Sequence, residues 1–183
     1  MIDSRQASEA LSDINDIVAR VRQSRIYNLA SLIMIMWGAL VFAGNIASFL
    51  GPRVALYAWL AVYVAGIAGS FVISAVGYPR TGVRTFDIRM LVAFLLFIAF
   101  GSFCCVLGHF TTPRQFGTFW PIYFMLVYTI AGLWVGYAFV VIGVGVTALT
   151  LIGYFFIGGW FEPWMAVVNG GGLILGGLWM RRS

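Results

Sequence analysis

Two hydrophobic patterns divide this chain. Up to Arg25, apolar residues stand at Ala7, Leu11, Ile14, Val18 and Val21, separated by four, three, four and three positions. That spacing gathers them on one face of a helix and predicts an amphipathic helix over residues 4–25. Asp3 and Gln6 have the spacing of a capping box, and Asp16 precedes Arg20 by the four residues that favour an ion pair. Acids occupy the first half of this segment and Arg20, Arg22 and Arg25 the second, an order that suits the helix dipole.

From Ile26 the alternation gives way to apolar runs of about 20 residues, each able to cross a hydrocarbon core of roughly 30 Å. Breaks at Gly51-Pro52-Arg53, at Tyr78-Pro79-Arg80 and from His109 to Arg114 delimit spans at about 26–50, 54–77 and 90–109. The 47 residues from Gln115 to Phe161 carry no charge. As one helix they would extend roughly 70 Å, about twice a bilayer, so a turn between Gly136 and Gly145 is expected, with spans at about 119–137 and 141–160. A sixth span at 164–180 ends in Arg181 and Arg182, and Asn169-Gly170-Gly171-Gly172 marks a local break within it. The expected fold is an all-α integral membrane protein. Six transmembrane helices form one bundle over residues 26–183, preceded by a cytoplasmic amphipathic helix at 1–25.

Charge orients this arrangement. All eleven basic residues are arginine, and six spans place nine of them on one side (Arg5, Arg20, Arg22, Arg25, Arg80, Arg84, Arg89, Arg181, Arg182) against Arg53 and Arg114 on the other. The positive-inside rule then puts both termini in the cytoplasm of a bacterial-type inner membrane. Trp59, Trp120, Trp160 and Trp164 fall near outer span ends and Trp134 and Trp179 near inner ones, as interfacial anchors do.

With 62% hydrophobic and 9% charged residues, the chain has no stretch left for a soluble domain. Its net charge of +5 is spread a few arginines to a loop, which is topogenic and unlike a nucleic-acid footprint. The charges within residues 1–25 are unlike a signal peptide, so no cleavage is expected. Cys104 and Cys105 are neighbours in an apolar run and match no metal or redox spacing. One histidine supplies one ligand where zinc needs three or four, and no serine motif accompanies it. No metal, cofactor or catalytic residue is expected, hence no enzyme. The spans also lack the ionisable group that charge-coupled transport uses.

Three features remain that could carry function. Asn45, His109, Arg114, Trp160, Glu162 and Trp164 converge at the outer face as a candidate ligand pocket, with Arg114 suited to a carboxylate. Small residues recur at four-residue intervals in Ala39, Ala43 and Ala47, in Ala65 and Gly69, in Gly132 and Gly136, and in Gly172 and Gly176. Such faces let helices approach closely, within the bundle or between proteins. The stripe of Ala7, Leu11, Ile14, Val18 and Val21 has no other domain of this chain to pack on. It either docks a protein, a second copy included, or lies among lipid headgroups, which the acids in its first half disfavour where the lipid is anionic.

The expected function is therefore a non-enzymatic accessory or regulatory protein acting through partner binding. The alternative is a small-solute transporter or a membrane-embedded substrate-binding subunit. In size, span count and the Val168-Asn169-Gly170 stretch, the chain resembles the substrate-binding subunits of energy-coupling-factor transporters. That resemblance implies vitamin uptake beside a separate ATPase module, and the charged N-terminal helix departs from it. An ion channel ranks lower, since no filter sequence or ring of charge is present.

Overall fold

A computed structural model describes residues 4–81 and 88–182, and every regular element among them is helical. The first, α1 (Ser4–Leu50), is one unbroken helix of 47 residues, roughly 70 Å long at 1.5 Å per residue. The amphipathic segment and the first apolar run are therefore a single element. No proline stands between Ser4 and Leu50, and the two glycines, Gly38 and Gly44, lie deep in the apolar run, so nothing near Arg25 interrupts the backbone ladder. The capping box at Asp3 lies outside the described residues, as do the side chains of Ala7 and Val18 and the basic loop through Arg84 and Asp87.

Gly51, at φ 143°, turns the chain into α2 (Pro52–Thr81), and α3 (Ile88–Leu107) follows. The fourth helix, α4 (Pro113–Val135), starts six residues earlier than hydropathy suggests. Capping decides that start. The Thr112 hydroxyl accepts from the Gln115 amide at 3.3 Å, the Gln115 side chain accepts from the Thr112 amide at 3.0 Å, and Pro113 needs no donor in the first turn. The return turn is then Gly136 alone, at φ 151°, a backbone shape that side chains resist. It leads directly into α5 (Tyr137–Phe156), four residues ahead of the expected start.

The final apolar stretch is divided. A short α6 (Phe161–Met165) runs into a π-helical turn, Ala166–Gly171, and then α7 (Gly172–Met180). Three consecutive glycines fall at the end of that turn, where helix propensity is weakest.

Tyr27–Leu50, Pro52–Val76, Pro113–Val135 and Tyr137–Phe156 are each long and apolar enough to cross a membrane, and Leu91–Leu107 is a shorter apolar helix. The chain is thus a helical protein with several membrane-spanning segments. Helix α1 packs between α2 and the α6–π–α7 segment, that segment leans on α5, α5 pairs with α4, and α3 rests on α4. Met34, Met125, Met165 and Met180 are almost wholly buried, flexible side chains filling the irregular gaps between these helices. At one end of the core Tyr27 meets Phe139 edge-on at 5.8 Å.

Glycine sets the closest crossings. A methyl group on Gly38 would stand 2.8 Å from the Gly170 carbonyl oxygen, and one on Gly176 would stand 2.8 Å from the Ile142 side chain. Gly132 faces the Val140 backbone and Gly172 the Val146 side chain, both across α5. The alanines of α1 are placed differently. Ala39 and Ala43 are exposed and Ala47 half-buried, while Gly38 meets the last helical segment and Met36, Trp37 and Gly44 meet α2.

Candidate functional site

Arg114, in the first turn of α4, holds the end of α5. Its Nη2 donates to the carbonyls of Gly153 (3.0 Å), Tyr154 (2.6 Å) and Ile157, and its Nη1 to Gly158 (3.3 Å). The guanidinium lies 4.9 Å from the Phe161 ring and 5.6 Å from that of Tyr154. A helix C-terminus offers unpaired carbonyls and partial negative charge, and arginine answers both with a planar set of donors. Its donors are thus committed to backbone rather than presented to a solute.

The other residues of the candidate pocket lie at varying distance from this clamp. Trp160 stacks on Phe49 at 5.6 Å, tying the end of α1 to the last helical segment. Trp164 donates from Nε1 to the Leu149 carbonyl at 3.0 Å and lies over Gly153. Glu162 is half-buried in the first turn of α6. Asn45, a turn deeper than Phe49 on α1, is buried and donates to the Val41 carbonyl of its own helix at 2.8 Å. His109 stands apart, beyond the end of α3, with a left-handed backbone at φ 50°. It lines an open groove of about 430 Å³ between α3 and α4 with Ser102, Cys105, Thr111, Phe116 and Trp120. Sequence reading named His109 but not the aromatic wall of Phe116 and Trp120, which only the pairing of α3 with α4 creates.

Deeper in the bundle the hydroxyls sort into two kinds. Ser31, Ser48, Ser70, Ser102, Thr118, Thr129 and Thr147 each donate to a carbonyl three or four residues earlier. Thr150 is fully buried, and its Oγ1 has no hydrogen-bond partner. Gly172 faces Val146 and Gly153 lies under Trp164, so Thr150, between them on α5, is on the side of that helix that meets the segment from Trp164 to Gly172.

The most exposed apolar surface outside the bundle is the N-terminal part of α1. Leu11 is 61% exposed, Ile14 56% and Val21 47%, and Ile17, which the heptad reading passed over, is 61% exposed and widens the stripe. Because α1 continues without a break into the apolar segment, the stripe and the first apolar run share one helix.

No protein-family model, characterised protein or solved structure matches this chain. The likeness to substrate-binding subunits of energy-coupling-factor transporters gains no support from those comparisons.

Proposed function

We propose that this chain is a non-enzymatic accessory or regulatory protein of the inner membrane that acts by binding a protein partner through α1. One observation carries the reading: the stripe of Leu11, Ile14, Ile17 and Val21 is exposed on a helix that runs without a break into the membrane. A rod continuous with a spanning helix does not lie flat in the headgroup layer, and an apolar face held in water calls for a protein cover. Six crossings with both termini cytoplasmic suit this reading. α3, with 20 residues, matches a core of roughly 30 Å, and the 20 residues from Phe161 to Met180 match it as a broken span. Arginine placement orients the rod toward the cytoplasm.

Native mass spectrometry of the detergent-extracted protein tests the reading. The full chain should carry added protein mass, and deletion of residues 2–22 should remove that mass while the chain stays in the membrane fraction. A lone chain in both cases would overturn it. The transporter reading rests on the groove beside His109, and it ranks second because Arg114 and Asn45 already spend their donors on backbone carbonyls.

A further inference from the structure

The partner-binding reading leaves the partner open, and the inference here rests on it and narrows it. At 3.6 residues per turn, successive residues advance about 100° around a helix. On that count Leu32, Ala39, Ala43 and Ile46 fall within about 60° of Ile14, on the same side as Leu11, Ile17 and Val21. All four are exposed, whereas Ser31, Met34, Gly38 and Asn45, on the far side, are buried against the bundle. The exposed stripe and the uncovered face in the membrane therefore form one strip along α1 from Leu11 to Ile46, narrowed at Ile35 and Met36, which are half-buried against Gly177 and Gly69.

We infer that this strip pairs with the same strip on a second copy of the chain, the two α1 helices lying parallel. Area argues for a partner that continues into the membrane. Burying Leu11, Ile14, Ile17 and Val21 removes roughly 100 Å² each from water, about 400 Å² in all, half of the about 800 Å² per partner of a specific interface. A soluble protein reaches only that half. A second copy offers the membrane half as well, with Ala39 and Ala43 four residues apart to let the backbones approach. The bilayer sets both chains at the same height and in the same orientation, so a parallel pair meets in register. Charge agrees with that register: Asp13 sits about 100° from the centre line of the strip at Ile14, toward one edge of the seam, so like charges are not directly opposed.

Single cysteines at Leu11, Ile14, Val21, Asp13 and Asp16, in a chain whose Cys104 and Cys105 are alanine, test the pairing in native membranes with a short bismaleimide. Leu11→Cys, Ile14→Cys and Val21→Cys should give a product of twice the chain mass, at least fivefold more than Asp13→Cys or Asp16→Cys. Equal yields at all five positions, or no product at any, would overturn self-pairing. Native mass spectrometry of the unmodified chain separates the two readings. A complex with a different protein and no cross-linked pair removes the self-pairing and leaves partner binding standing, and a lone chain removes both.

Discussion

The Nη2 of Arg114 donates to the Tyr154 carbonyl at 2.6 Å, joining the first turn of α4 to the last turn of α5 across forty residues of sequence. These two helices leave a one-residue turn at Gly136 and pack along their length, as where Gly143 faces Met125 and Thr129. The clamp closes the other end, and it ends α5 at Phe156 without a glycine cap. Hydrogen bonds to a charged donor contribute about 1.5–3 kcal/mol each when partly buried, and several share one guanidinium here.

Arg114→Ala should accordingly destabilise the protein by about 2–3 kcal/mol, read as a lowered midpoint in thermal unfolding in detergent. Arg114→Lys should recover less than half of the loss, because an ammonium cannot spread its donors over carbonyls of residues 153–158 in one plane. Equal stability of the lysine variant and the native chain would show that charge alone is enough.

Gly38 and Gly145 make a matched pair. A methyl at Gly38 would press on the Gly170 carbonyl and the Ile174 side chain, while one at Gly145 would meet nothing within 4 Å. Gly38→Ala should cost about 1–3 kcal/mol through overpacking. Gly145→Ala should be neutral or stabilising by up to about 1 kcal/mol through helix propensity. Chemical unfolding of both variants in the same micelle measures the difference, and equal midpoints would mean that α1 and the π-helical turn are further apart than described.

Thr150→Val is expected to stabilise the fold. The substitution keeps the shape and removes a buried hydroxyl without a partner, a group whose desolvation costs about 1–3 kcal/mol. Thr147→Val, which removes a donor to the Gly143 carbonyl, should show no such gain. A loss of stability in Thr150→Val would mean that this hydroxyl is bonded in the membrane-embedded protein.

Much of this architecture was legible in the sequence because hydrophobicity and charge are coarse, local signals. The apolar runs, the break at Gly51, a turn somewhere within Gly136–Gly145 and the glycine-rich interruption before Leu173 all follow from residue types read in order. The junction at Arg25 was legible too, but only as an absence: polarity changes there, while no helix breaker marks it. Reading the change of polarity as a boundary splits α1 in two. The start of α4 depended on reciprocal bonds between Thr112 and Gln115, which outweigh the hydropathy of a single arginine. What could not be read was the partner of a long side chain. Arg114 looked available for a ligand, and its partners are main-chain carbonyls about forty residues away, which present the same chemistry whatever their side chains.

The account turns on α1 being one rod that lifts its stripe clear of the bilayer. Spin labels at Asp13→Cys and Ile46→Cys, in a chain with Cys104 and Cys105 replaced by alanine, diluted with unlabelled protein in nanodiscs, test this by pulsed dipolar spectroscopy. The 33 intervening steps predict a narrow distance distribution near 50 Å at 1.5 Å per residue. A distribution centred near 35 Å, as a right-angle bend at Arg25 would give, would lay the stripe on the membrane surface and contradict the account.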